Sequence, residues 1–79
     1  MDKIYDILRR IKDMEYSEET KLFSSGIMDS FDMVMLVNLL MDEYKIKVSP
    51  AHINLENFDT PKKINDYLSR RSPLPLNQV

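Results

Sequence analysis

Among the side chains able to do chemistry, the adjacent pair Asp29 and Ser30 stands out, three residues after Gly26, the only glycine in the chain. A serine hydroxyl can act as a nucleophile or as the oxygen of an ester. As a catalytic nucleophile it needs a base within hydrogen-bond reach and donors for a developing oxyanion. The inventory for that is thin: one histidine, His52, and no cysteine. Nothing in the spacing marks His52 as the base of Ser30, so that pairing is left to the fold. A metal centre would have to be built from carboxylates almost alone, and one glycine cannot make a Gly-rich phosphate loop. The expectation is a chain that is not an enzyme, with no metal site.

Helices must position this pair. Ile4, Ile7, Leu8 and Ile11 recur at i, i+3, i+4 and i+7, which predicts a first helix with one aliphatic face and Asp2 as its N-cap. Lys3, Asp6, Arg9, Arg10 and Lys12 fill the rest of its circumference. From 14 to 28 the periodicity fails, and Ser17, Ser24, Ser25 and Gly26 mark a long loop. A loop of that length needs anchors, and Leu22, Phe23 and Ile27 are the apolar residues placed to supply them.

The second helix begins near Ser30, where Asp and Ser side chains can accept bonds from first-turn amides, and runs to Tyr44. Met33, Leu36, Val37, Leu40 and Tyr44 form its core stripe, while Phe31, Val34, Met35, Asn38 and Met41 form a second one. Few elements remain to cover both, so the second stripe is expected to stay partly exposed. The alternation in 45–48 has no partner strand and reads as an extended connector. Ser49-Pro50 then starts a short helix expected to carry Ile53, Leu55 and Phe58 inward. Asp59-Thr60-Pro61 repeats the signal for a last helix, buried through Ile64, Tyr67 and Leu68 and ending near Arg71. Pro73 and Pro75 forbid its continuation. The predicted class is all-α: three main helices, one short helix, and a long loop between the first two main helices. A domain over 1–71 precedes a flexible, Pro-containing tail over 72–79.

Composition narrows the partners. A chain of 79 residues buries only about 60% of its unfolded surface, which leaves no room for a deep enclosed active site. No apolar run approaches the roughly 18 residues of a membrane span. With a net charge of -2 and no basic stripe, nucleic acid is not an expected partner. Lys62, Lys63, Arg70 and Arg71 read as a solvated helix face. The absence of cysteine and of a signal-peptide pattern at the start agrees with a cytoplasmic monomer.

The run Gly26-Ile27-Met28-Asp29-Ser30-Phe31, the apolar helix after it and the later Asn57-Phe58-Asp59-Thr60-Pro61 resemble the acyl carrier and peptidyl carrier proteins. Their signature is Gly, two variable residues, then Asp-Ser-Leu; here Phe31 takes the place of leucine. The resemblance extends from Ile4 to Leu68 and implies a four-helix carrier-protein bundle. It also implies that a phosphopantetheinyl transferase, using coenzyme A and magnesium, attaches phosphopantetheine to Ser30. Asp29 would help the transferase engage its metal, and Gly26 would set the approach of the loop.

The arm would carry an acyl or aminoacyl group as a thioester from a loading ligase to a downstream synthase or transferase. Elementary electrostatics agrees, because a phosphodiester on Ser30 would sit at a helix N-terminus. Phe31, Val34, Met35 and Met41 would then form a docking face, with Ile53 and Phe58 at its other edge. That face carries fewer acids than the recognition helix of fatty-acid carriers, which points to a specialised biosynthetic pathway. A few residues, Asp-Ser-Phe among them, resemble the D-alanyl carriers in particular. The competing reading is an unmodified helical interaction module that uses the same methionine-rich face; a hydrolase using Ser30 is a third.

Overall fold

The computed structural model describes residues 1–71. The expected tail over 72–79 lies outside the described residues. Four α-helices and one 3-10 turn make up the fold, with no strand among the described residues.

Helix α1 (Asp2–Ile11) buries Ile4, Ile7 and Leu8. Its N-cap is Met1, and no side chain caps it; Asp2 stands inside the first turn, where its charge still favours the positive end of the dipole. At the other end the Tyr16 hydroxyl donates to the carbonyl of Lys12 at 2.6 Å, answering one of the carbonyls a helix terminus leaves without a partner. Burial of that phenol raises its pKa.

Helix α2 (Ser30–Tyr44) turns Leu36, Val37 and Leu40 into the core and ends at Lys45, which takes a left-handed conformation at φ 57°. The segment 45–48 is extended without pairing, and Ile46 and Val48 are buried. A 3-10 turn (Pro50–His52) follows, capped by the Ser49 hydroxyl, which accepts from the amide of Ala51.

Helix α3 (Leu55–Phe58) is a single turn capped by Asn54. Helix α4 (Pro61–Arg71) buries Ile64, Tyr67 and Leu68, and the Thr60 hydroxyl accepts from the amide of Lys63 at its start. Helix α1 packs on α2 and α4, while α3 rests on α4. Ile4, Ile7, Leu8, Leu22, Leu36, Leu40, Phe58 and Ile64 meet at the centre. Among the described residues no helix is long and apolar enough to cross a membrane.

The short helix departs from expectation. Of Ile53, Leu55 and Phe58, only Phe58 is buried; Ile53 is half-buried and Leu55 is exposed. One turn is too short to define a buried face, and α3 is held to α4 by Phe58, whose ring meets that of Tyr67 at 5.1 Å between centroids.

Candidate functional site

The site is built at the start of α2. Asp29, in extended conformation, is the N-cap: its carboxylate accepts from the amide of Asp32 at 2.9 Å. The Asp32 carboxylate accepts from the amide of Asp29 at 3.2 Å, so the two acids close a reciprocal capping box. Ser30 is therefore the first residue of the helix rather than its cap, and its side chain is exposed. The amides of Ser30 and Phe31 precede any intrahelical acceptor. An exposed hydroxyl beside free amides suits a phosphodiester, although two carboxylates stand close by.

The loop before it is compact. Leu22 and Met28 are buried, Phe23 and Ile27 are half-buried against the core, and the amide of Met28 donates to the carbonyl of Leu22 at 2.8 Å. Gly26 lies at the outer turn with φ +89°, and its amide donates to the carbonyl of Phe23. A Cβ there would meet nothing within 4 Å, so it is the backbone angle, not space, that calls for glycine.

Asp59 holds the base of this loop, a role with no signal in the sequence pattern. Its Oδ1 accepts from the amides of Phe23 at 2.9 Å and Ser24 at 3.0 Å, and its Oδ2 accepts from the Ser24 hydroxyl at 2.7 Å. Burial by itself would raise the pKa of this carboxyl; the bonds from Ser24 and Phe23, with the charge of Lys21, outweigh it and leave the pKa lowered.

A group with a depressed folded pKa contributes its stability in full above the unfolded value, about 3.9, and loses that contribution as the pH falls through the folded value. Asp59→Asn should thus be less stable than wild type near neutrality, with the gap narrowing in acid. Urea unfolding at about pH 7 and about pH 3 reads this directly. A gap of constant size would mean that the carboxylate charge is not what the loop holds.

A groove of about 390 Å³ opens beside Ser30. Phe23 and Met28 form its loop wall, and Asp29, Ser30, Met33 and Val34 form the wall of α2. Ile53 and Leu55 close the opposite side. Next to it, Phe31 is 74% exposed, Val34 57% and Met35 39%, and Leu55 continues the apolar surface at 48%. Phe31, Val34 and Met35 thus share an open face, as their spacing predicts.

One assignment changes. Phe58 cannot edge a docking face, because it is 0% exposed; Leu55, three residues earlier, is the apolar side chain of α3 that reaches the surface. Met41 is half-buried and packs against the core. His52 is not among the residues that line the groove at Ser30. Its Nδ1 lies 2.9 Å from the Tyr67 hydroxyl, and its carbonyl accepts from the Asn57 side chain. Among the described residues no hydrogen bond joins His52 to Ser30.

No family model and no solved structure matches the chain. Curated relatives do. The D-alanyl carrier protein of Lactobacillus acidophilus is 32% identical over 63 residues, which cover 77% of this chain and 80% of that protein. D-alanyl carrier proteins from two strains of Lactobacillus delbrueckii subsp. bulgaricus are each 29% identical over 70 residues, covering 86% of this chain and 88% of theirs. The helical bundle, the exposed serine heading its second helix and relatives matched over most of their length lead to one conclusion: the chain belongs to the acyl and peptidyl carrier proteins.

Proposed function

We propose that Ser30 carries phosphopantetheine, attached by a phosphopantetheinyl transferase from coenzyme A with magnesium. The single observation that carries this reading is the division of labour at the head of α2. Asp29 makes the cap, which frees the exposed Ser30 hydroxyl for esterification. When bound, the arm supplies a terminal thiol that holds cargo as a thioester.

The chain's own residues do the rest. Ser30 fixes the arm at the mouth of the groove, Asp29 engages the transferase and its metal, and Phe31, Val34, Met35 and Leu55 offer apolar surface to successive partners. Those partners are a loading ligase and a downstream synthase or transferase, in the cytoplasm and within a specialised pathway. Tethering raises the cargo's effective concentration at whichever enzyme is docked. The names of the curated relatives make D-alanine the first cargo to test.

Intact-mass measurement after incubation with coenzyme A, magnesium and a broad-specificity transferase tests the reading. Wild type should gain the mass of one arm. A wild type that gains none would remove the support for attachment and favour the unmodified interaction module.

A further inference from the structure

The loop that delivers the chain to Ser30 is held by one buried residue at the end of α3. Asp59, the C-cap of α3, receives both amides and the hydroxyl described above from Phe23 and Ser24, and its own carbonyl accepts from the amide of Leu22 at 2.7 Å. Leu22 in turn holds Met28 through its carbonyl, one residue before Asp29. Phe23 and Met28 are the loop wall of the groove, and Leu55, in the helix that Asp59 ends, stands in the opposite wall. Phe23, Met28 and Leu55, on both the loop and the α3 side of the groove, are thus within a few bonds of Asp59.

We infer that Asp59 is a positioning residue for the reaction at Ser30. It fixes the loop wall and the register at which Asp29 and Ser30 join α2, acting through Leu22 and Met28. The inference rests on the reading of Ser30 as the attachment site. A residue that only added stability would protect the whole fold evenly; a positioning residue protects the loop and tunes recognition. A carrier whose loop is correctly ordered in only about a tenth of molecules binds its partner about tenfold more weakly, so a loosened loop has a measurable cost in recognition.

Asp59→Asn keeps the shape and removes the charged acceptor, and Ser24→Ala removes only the hydroxyl bond from an exposed position. Ile64→Val, a core change in α4, serves as the control for general destabilisation. Transfer kinetics from coenzyme A and backbone amide exchange are measured on each intact protein. Asp59→Asn should raise KM for the carrier about tenfold with kcat nearly unchanged, and Ser24→Ala should do the same to a smaller degree. The amides of Phe23, Ser24 and Met28 should gain more in exchange rate than the middle of α2 does. Ile64→Val should leave the kinetics at the wild-type level and speed exchange evenly over the core helices.

A normally loaded wild type beside an Asp59→Asn protein of unchanged KM overturns this inference alone. So does faster exchange in Asp59→Asn spread evenly over the helices. A wild type that takes up no arm overturns the attachment reading and this inference with it.

Discussion

Replacing Ser30 by alanine should leave the fold intact and abolish loading completely. The side chain is exposed, and the bond that caps α2 belongs to Asp29, so the substitution removes no structural contact described above. Alanine is also the better helix former, and the stability should stay within about 0.5 kcal/mol of wild type. Loss of the mass gain in a protein with unchanged helical circular dichroism therefore reports the missing hydroxyl. A mass gain that persists in Ser30→Ala would place the arm elsewhere.

Asp29 needs a subtler change, because it caps α2 as well as facing the transferase in the proposed loading. Asp29→Ala would cost about 1 kcal/mol of capping and confuse structure with recognition. Asn caps as well as Asp, so Asp29→Asn keeps the helix start and removes only the charge. If the carboxylate helps the transferase engage its metal, loading of Asp29→Asn should slow by about 10–100-fold at unchanged thermal stability. Loading at the wild-type rate would reduce Asp29 to a helix cap.

The parts of this molecule that were legible in its sequence are those governed by local rules. Ile4, Ile7 and Leu8 share a face because a helix repeats every 3.6 residues, and they are buried together. Ser49-Pro50 and Thr60-Pro61 start helical segments because a hydroxyl accepts from a first-turn amide and proline has no amide to lose there. Asp29-Ser30 opens α2 by a related rule, with the Asp29 carboxylate rather than a hydroxyl accepting from a first-turn amide.

What escaped is what depends on distant partners. Asp59 reads as a helix-start residue, and only the fold brings its carboxylate to Phe23 and Ser24, which lie 36 and 35 positions away. Periodicity also fails in a helix of four residues, where it cannot say whether Leu55 or Phe58 turns inward. Both are expected inward, yet only Phe58 is buried, and Leu55 takes the surface place expected of Phe58 at the docking edge.

That exchange leads to the other large effect. Phe58→Ala should destabilise the fold by about 3–5 kcal/mol, the usual cost of truncating a buried phenylalanine. A domain of this size has about 4–12 kcal/mol in total, so the variant should be close to unfolding. Phe58 is the only buried residue of α3, and a single turn has no helical stability of its own. Removing the ring also strips Tyr67 of one of its two aromatic neighbours and leaves α3, with Leu55 and the groove wall, unpinned.

At about 4–8 °C per kcal/mol, Tm should fall by at least about 12 °C. Phe31→Ala is the counterpart: at 74% exposure it should move stability by no more than about 0.5 kcal/mol and weaken partner binding by at least about 1 kcal/mol. Thermal unfolding followed by circular dichroism, with the KM of a carrier-using enzyme as the second readout, separates the two phenylalanines. A Phe58→Ala protein that melts like wild type, beside a Phe31→Ala protein that does not fold, would mean that the inner and outer faces are assigned in reverse.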